Sequence, residues 1–229
     1  MNWNGAHGLA LLDQSKGFYR HVKAAVAAHG AKPLAQSRVL DFGLGWGRLT
    51  RFFARDVEPG SLMGVDPTPE ILEVCRESRV PAVLAKSDFL PESLPFDGID
   101  VAYSFSVFTH ISERAAETCL DALHAAIVPG GLLVLTVRPP AYLELDHRMQ
   151  EALAEVGDPA EAMLEPRYVF VPHPVEGGHP QYDGGEMTYG EAVISLPWVR
   201  ERWGDRFELL DVKVATEDIY QVALTLRRL

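Results

Sequence analysis

A glycine-rich segment between an apolar strand pattern and a helical pattern is the feature that most constrains this sequence. Residues 38–42 (RVLDF) have the composition of a buried strand, and Gly43, Gly45 and Gly47 follow at once. The apolar residues after Gly47 fall on one helical face. Glycine lets the backbone approach a ligand closely and adopt positive φ at little cost. Such a strand–turn–helix unit is typical of the ligand-binding turn of open α/β sheets.

Strand and helix patterns alternate along most of the chain. Further strands are predicted at 61–65, 82–84, 98–104 and 132–137. Helices are predicted at 9–28, from Pro69 onwards, over 113–127 and at 196–203. The last two predicted strands, 207–214 and 220–228, are separated by only five residues. Because a parallel crossover needs a dozen residues or more, these two strands must be antiparallel. We therefore predict an α/β fold with a doubly wound, mostly parallel, seven-stranded Rossmann-like sheet ending in an antiparallel hairpin.

We expect residues 1–229 to form a single domain. Its predicted parts are an N-terminal helical segment (1–35), a core (36–137), an insertion after strand five (138–194), and a C-terminal helix and hairpin (195–229). The 57 residues of the insertion are too many for a passive loop. A helix is predicted there at 144–156 and an extended stretch at 167–171, before the turn-rich residues 172–185. We interpret the insertion as a cap over the active site.

Composition limits the compartment and the partners. The net charge of −11 disfavours broad attraction to nucleic acid or anionic membranes. No apolar run reaches the roughly 18 residues typical of a membrane span, and the first residues lack a signal-peptide pattern. Cys75 and Cys119 fall in predicted helices, which favours reduced thiols. We expect a cytoplasmic protein with a small-molecule substrate and no nucleic-acid or membrane partner.

The spacing of the glycines separates cofactor classes. Dinucleotide sites use G-x-G-x-x-G, in which the third glycine permits close packing of helix on strand. Counted from Gly43 and Gly45, that third position is Arg48, and the third glycine falls one residue early. No Walker lysine follows the turn. Nicotinamide dinucleotides and nucleoside triphosphates are therefore disfavoured.

The segment LDFGLGWGRLTRFF resembles the first motif of class I S-adenosylmethionine-dependent methyltransferases, and the resemblance runs from about residue 36 to 137. It implies a methyltransferase of the bacterial small-molecule type with S-adenosyl-L-methionine as cofactor. In that family the glycine turn contacts the methionine part of the cofactor, here with Asp41 beneath it. Asp66, 19 residues beyond Gly47, matches the carboxylate that accepts both ribose hydroxyl hydrogens.

The same resemblance implies further cofactor contacts. Asp88 matches the acid that faces the adenine amino group, and Phe89 would flank the ring. Each match also has a structural alternative, because an Asp after a strand often caps the next helix. The predicted cofactor-binding residues are Asp41, Gly43, Gly45, Gly47, Asp66, Pro67, Asp88, Phe89, Ser104 and Phe105.

His110 is the predicted catalytic base. It lies just after the fourth strand, at the predicted mouth of the active site, and an imidazole is suited to removing a proton near neutral pH. In relatives a histidine at this place also supports the cofactor pocket or the following helix. Both roles remain open for His110 at this point.

Aromatic and imidazole side chains in the insertion are candidates for binding the substrate, since they combine apolar faces with polar tips. The structural alternative is that about half of them pack the insertion against the sheet. The predicted substrate-binding residues are Tyr168, His173, His179, Tyr182 and Tyr189. No metal site is predicted, because the spacing of the following residues fits no known ligand pattern: His147, His173, Glu176, His179 and Asp183.

The predicted function is methyl transfer to an oxygen or nitrogen of a small metabolite with a sugar-like or aromatic acceptor group. One alternative is methylation of a macromolecule. Ser104-Phe105-Ser106-Val107 does not match the Asn/Asp-Pro-Pro-aromatic motif of amino-directed DNA methyltransferases. Two further alternatives are a nicotinamide-dependent oxidoreductase on a similar fold and a cofactor-binding module without catalysis. The sequence leaves the oligomeric state open.

Overall fold

The computed structural model of the chain describes residues 7–174, 181–214 and 217–229. Its strands, in chain order, are β1 (Val39–Phe42), β2 (Leu62–Asp66), β3 (Val83–Lys86), β4 (Ile99–Ser104), β5 (Ile127–Val137), β6 (Tyr168–Pro172), β7 (Tyr182–Asp183), β8 (Glu186–Met187), β9 (Gly190–Ile194), β10 (Phe207–Val214) and β11 (Val222–Arg228). Its α-helices are α1 (Gly8–His29), α2 (Thr50–Phe53), α3 (Pro69–Glu77), α4 (Glu113–Ala126), α5 (Tyr142–Leu145), α6 (Gln150–Val156), α7 (Pro159–Ala162) and α8 (Leu196–Trp203). Short 3-10 helices cover Leu34–Gln36 and His147–Met149.

A seven-stranded sheet forms the centre of the fold, in the order β10-β11-β5-β4-β1-β2-β3. The pairs among β1 to β5 are parallel, whereas β11 is antiparallel to both β5 and β10. The predicted fold class is therefore confirmed, including the hairpin at its end. Chain connectivity explains this outcome, because helical crossovers link β1 to β2, β2 to β3 and β4 to β5, and a short loop links β10 to β11.

Both faces of the sheet are buried, which explains why its strands read as continuous apolar runs. On β5 the side chains alternate between two cores. Leu133 and Leu135 join a cluster with α4 and α8 on one face, and Leu132 and Val134 join a cluster with α1 and α2 on the other. Cys75 and Cys119 are free and buried.

The order of the strands fixes where a ligand can bind. The chain runs from β1 to β2 on one side and returns to β4 on the other side of β1. The turn after β1 therefore lies at the switch point, where ligands of open α/β sheets bind beyond the carboxyl ends of the strands.

The inserted segment (residues 138–194) contains short helices and two small antiparallel pairs, as far as it is described. The predicted helix at 144–156 is wrong as one element. It is broken after α5 because the Asp146 side chain accepts a hydrogen bond from the backbone N–H of Arg148 (2.9 Å) and caps a 3-10 turn. The extended stretch forms β6, which pairs with β9.

Strand β9 attaches the inserted segment to the residues after β4. The backbone N–H of Gly190 donates to the His110 carbonyl (2.8 Å), and that of Ala192 donates to the Thr109 carbonyl (2.9 Å). In the described part of the chain no helix combines the length and apolarity needed to cross a membrane. The division of the chain into four parts stays a prediction.

Candidate active site

In the glycine turn (residues 43–47), the backbone of the middle glycine, Gly45, borders open space. Gly43, Gly45 and Gly47 all have positive φ, at 76°, 54° and 78°. A Cβ at Gly47 would lie 2.6 Å from Val80 Cγ2, and a side chain at Gly43 would collide with Val107. At Gly45, no heavy atom of the described residues lies within 4 Å of the position that a Cβ would take. Gly45 is therefore the place where a ligand can approach the backbone.

Asp66 lies directly beside this opening. It ends β2 and is 6% exposed. Its Oδ2 accepts a hydrogen bond from the Gly45 backbone N–H (3.1 Å), and its Oδ1 accepts one from that of Thr68 (3.0 Å). Burial raises the pKa of Asp66, against the lowering effect of these two bonds. A carboxylate offers about four acceptor positions, so Asp66 retains the capacity to bind hydroxyl groups. Pro67, the next residue, is half-buried.

Asp41 lies within the core under the turn. It is 2% exposed, and its Oδ2 accepts hydrogen bonds from Thr50 Oγ1 (2.6 Å) and the Tyr103 hydroxyl (3.0 Å). Burial raises the pKa of Asp41 to about 7, although both bonds act in the opposite direction. These contacts connect β1 to the start of α2 and to β4, which gives Asp41 a supporting role for the turn.

The residues after β4 approach the turn from the other side. The Ser104 hydroxyl donates to the Phe42 carbonyl (3.0 Å), directly before Gly43. The Phe105 ring packs edge-on against Phe18 of α1, with 4.9 Å between ring centroids. Ser106 has φ of 62°, which is unusual for a residue with a side chain, and its backbone N–H donates to Thr136 Oγ1 (2.8 Å).

Arg48 connects α1 to the turn, a role that the sequence did not predict. Its Nη1 donates to Gln14 Oε1 and to Ser15 Oγ, both at 2.7 Å, and its guanidinium lies 5.0 Å from the Phe105 ring centroid. Burial lowers the pKa of Arg48. The motif itself offered a signal, because Arg48 takes the position of the third dinucleotide glycine.

Asp88 and Phe89 follow β3, farther along the same edge of the sheet. The Asp88 side chain is 78% exposed, and its Oδ1 lies 3.6 Å from Lys86 Nζ. Phe89 is half-buried, and its carbonyl faces Cys119 Sγ at 3.9 Å. The adenine contacts of Asp88 and Phe89 stay predictions.

Both ring nitrogens of His110 have protein partners. Nδ1 donates to the Gly190 carbonyl (2.9 Å), and Nε2 lies 3.3 Å from Arg138 Nη2. Because a guanidinium only donates, Nε2 is the acceptor in this contact. The ring also stacks on Tyr189, with 5.6 Å between centroids. These contacts give His110 a part in attaching the inserted segment.

A buried carboxylate, Glu191, lies beside His110 and was not predicted from the sequence. It is 1% exposed and has an ion pair with Arg138 Nη2 (3.1 Å) and another with Arg148 Nη1 (2.5 Å). The Tyr142 hydroxyl lies 2.8 Å from its Oε2. Burial acts to raise the pKa of Glu191, but His110, Tyr142 and Arg138 outweigh it and lower the pKa to about 2. Glu191 is therefore a charged group within the core.

The predicted substrate-binding residues have different environments. Tyr168 donates its hydroxyl to the Ile111 carbonyl (2.7 Å) and packs on Trp198 at 4.9 Å between centroids, which fits the structural alternative. His173 lies edge-on to Tyr189 at 4.8 Å, close to His110. His179 and the side chain of Tyr182 lie outside the described residues. Over the described ranges, no group of three or more His, Cys, Asp or Glu side chains is placed to hold a metal ion.

A doubly wound sheet with a glycine turn and an acid at the tip of the next strand defines a class of cofactor-binding proteins.

Residues 39–131 match the sequence model of the methyltransferase domain family. The chain is 31% identical, over 151 residues, to a trans-aconitate 2-methyltransferase of Methylobacterium radiotolerans, an alignment that covers 58% of this chain and 55% of the relative. A second trans-aconitate 2-methyltransferase, from Delftia acidovorans, is 28% identical over 54% of this chain and 46% of its own length. The chain thus spans about half the length of the curated relatives that it matches.

Solved methyltransferases share the fold. Magnesium protoporphyrin IX methyltransferase from Synechocystis PCC 6803, solved with S-adenosylhomocysteine, has a TM-score of 0.60 at 15% identity, covering 100% of this chain and 91% of its own. An S-adenosylmethionine-dependent methyltransferase from Clostridium acetobutylicum has a TM-score of 0.61 at 12% identity, covering 93% and 92%. Residues 39–131 carry the match to the methyltransferase domain, and the fold is that of solved S-adenosylmethionine-dependent methyltransferases. These comparisons support the predicted family and its cofactor, S-adenosylmethionine.

Proposed function

We propose that this chain transfers the methyl group of S-adenosylmethionine to an oxygen or nitrogen of a small-molecule acceptor, sugar-like or aromatic. The observation that carries the proposal is the hydrogen bond between the Gly45 backbone N–H and Asp66 Oδ2 (3.1 Å). It places a carboxylate next to open space at the backbone of Gly45. A sugar with two hydroxyl groups and an amino acid can both be bound there.

Different residues around this opening would bind the three parts of the cofactor. The backbone of 43–47 would hold the methionine part, and Asp66 the ribose hydroxyls, with Pro67 beside it. Asp88 and Phe89 would hold the adenine, while Ser104 and Phe105 close the methionine end. When bound, S-adenosylmethionine supplies a methyl group made electrophilic by its sulfonium.

The chain's own contribution to the reaction is alignment and exclusion of water. Arg48 and Phe105 hold α1 against the glycine turn, so the methyl end of the site lies under a helix. Holding two reactants in near-attack geometry supplies on the order of 7–11 kcal/mol. This alignment is the largest contribution that we assign to the protein.

His110 is the proposed base, and its contacts set a condition on that role. Its Nδ1 is oriented by the Gly190 carbonyl, and the lone pair of Nε2 is engaged by Arg138 Nη2. An acceptor must displace Arg138 from Nε2 before that nitrogen can take a proton. His173 and Tyr189 adjoin His110 and are proposed, with His179 and Tyr182, to contact the acceptor.

A small-molecule acceptor is supported by the relatives and by the charge of the chain. Two curated relatives that the chain matches are named for methylation of trans-aconitate, a small molecule. The net charge of −11 disfavours a nucleic-acid substrate. A cytoplasmic location stays a prediction.

Calorimetry tests the proposal. We expect S-adenosylhomocysteine to bind and NADH and NADPH not to bind. Asp66→Ala should weaken S-adenosylhomocysteine binding by roughly 1.5–3 kcal/mol, the range for hydrogen bonds to a charged group. The matched control is Asp97→Ala, since Asp97 is exposed and precedes β4 at the opposite edge of the sheet. Equal affinities in the two variants would remove Asp66 from the site, and binding of NADH would refute the proposed function.

A further inference from the structure

The amide of Gln221 is buried at the carboxyl edge of the sheet. Gln221 directly precedes β11 and is 4% exposed. Its Nε2 donates to Ser106 Oγ (3.1 Å), whereas its Oε1 has no hydrogen-bond partner in the part of the chain that the structure describes. Buried polar atoms are nearly always paired, because an unpaired one retains the full cost of its desolvation. The amide oxygen of Gln221 is therefore left to accept a hydrogen bond from a ligand.

This amide lies close to the proposed cofactor turn. Its partner, Ser106, is the second residue after Ser104 at the end of β4. The neighbouring Val107 side chain occupies the space where Gly43 has no side chain. Two contacts thus link Gln221 to the glycine turn, through Ser106 and Val107. Gln221 therefore lies beside the residues after β4, which we propose to close the methionine end of the site.

A narrow cavity opens at the same place. Gln221 lines it together with Phe105 and Thr136 from the sheet edge and Phe18 from α1. It has room for on the order of one water-sized group. Only the reacting group of an acceptor fits there, with the rest of the molecule outside.

The charges around the cavity are mostly negative. Glu217 and Asp218 line it, against a single cation, Lys213, among the lining residues. The Glu217 carboxylate fits there because Gly17 has no side chain: a Cβ at Gly17 would lie 2.8 Å from the Glu217 carboxyl carbon. Burial lowers the pKa of His21, which also lines the cavity, so His21 adds no positive charge near neutral pH. A carboxylate entering this cavity would meet two acids and an amide oxygen.

We propose that Gln221 Oε1 accepts a hydrogen bond from the nucleophilic atom of the acceptor, which is therefore a hydroxyl or amino compound and not a carboxylate. This inference rests on the proposed function and names its substrate class. The acceptor's lone pair forms the new bond to the methyl carbon, and sulfur keeps the electron pair of the bond that breaks. The acceptor's hydrogen leaves as a proton, either to water or to the proposed base, while Gln221 orients the acceptor and takes no proton.

Methyl transfer from tritiated S-adenosylmethionine to defined acceptors tests this assignment. The full chain is incubated separately with phenol, glucose, benzylamine and trans-aconitate. We expect transfer to at least one hydroxyl or amino compound and none to trans-aconitate. Gln221→Leu should lower kcat for that acceptor about tenfold, the effect of losing one hydrogen bond of ordinary strength. The affinity for S-adenosylhomocysteine should stay within about twofold, since the proposal gives Gln221 a contact with the acceptor and none with the cofactor.

Two further variants separate positioning from folding. Gln221→Glu keeps an acceptor oxygen and should recover most of the lost kcat. Gln36→Leu makes the same chemical change at an exposed site before β1, at the opposite edge of the sheet, and should change nothing. Transfer to trans-aconitate, or an unchanged kcat in Gln221→Leu, would overturn the proposed role of Gln221 and leave the proposed methyl transfer unaffected. Binding of S-adenosylhomocysteine without transfer to any of the four compounds would overturn the proposed function itself.

Discussion

Replacement of Glu191 by Gln should destabilise the folded chain in a way that depends on pH. Glu191 is 1% exposed, and it neutralises Arg138, which is itself buried. Removing one partner of a buried ion pair costs about 3–5 kcal/mol, because the other charge is left without compensation. Gln keeps the hydrogen-bonding shape of the side chain, so the lost charge accounts for most of this cost.

The lowered pKa of Glu191 independently gives a similar value for the lost free energy of unfolding. It lies at about 2 in the folded chain and at 4.5 in a model peptide. A shift of one unit corresponds to 1.36 kcal/mol, so the charged form contributes about 3 kcal/mol. Because the folded-state pKa is depressed, this contribution is complete above pH 4.5 and is lost as the pH falls towards 2.

Urea unfolding followed by circular dichroism measures the effect. At pH 7 we expect the free energy of unfolding of Glu191→Gln to be about 3 kcal/mol below that of the wild type. At pH 3 the difference should be smaller. Glu144→Gln, at an exposed site on α5, is the matched control and should change stability by less than about 0.5 kcal/mol. Equal stability of Glu191→Gln and the wild type at pH 7 would refute the ion-pair reasoning, as would a difference that stays the same at pH 3.

Three further predictions concern the turn and the proposed base. The raised pKa of Asp41 means that this group binds more protons in the folded than in the unfolded chain between pH 3.8 and about 7, so its contribution to stability should fall by about 4 kcal/mol over this range. Asp41→Asn should remove that decline in urea unfolding, and an identical slope in both proteins would contradict it. His110→Ala should lower turnover about 100-fold or more while sparing S-adenosylhomocysteine affinity in calorimetry. A large loss of affinity would instead make His110 structural. Gly45→Ala should strongly weaken S-adenosylhomocysteine binding, whereas Gly130→Ala, with similar φ and open surroundings, should not. Equal binding by both glycine variants would contradict the role of Gly45.

The elements that the sequence predicted correctly are those encoded locally. The apolar runs of β1, β2, β4 and β5 predicted those strands, and the short β10–β11 connection predicted an antiparallel hairpin, without any knowledge of distant contacts. The glycine spacing likewise pointed to the family because the turn is built from consecutive residues. The helix predicted at 144–156 failed for a local reason, since Asp146 bonds the backbone two residues ahead and ends the first turn.

Contacts between distant residues could not be predicted in the same way. Glu191 lies in the apolar run of β9, and only the fold brings it to Arg138 and Tyr142. A charged residue in such a run is a signal of a buried ion pair, but it does not name the partner. Gln221 meets Ser106 across 115 positions of sequence, and no pattern in either segment indicates this pairing.

The most direct measurement is a crystal structure of the chain with S-adenosylhomocysteine. We expect the ribose hydroxyls to lie within hydrogen-bond distance of Asp66 and the homocysteine part to cross the Gly45 backbone, with the sulfur towards Gln221. A ligand bound elsewhere, or a pyrophosphate of a dinucleotide held at the glycine turn, would contradict the account.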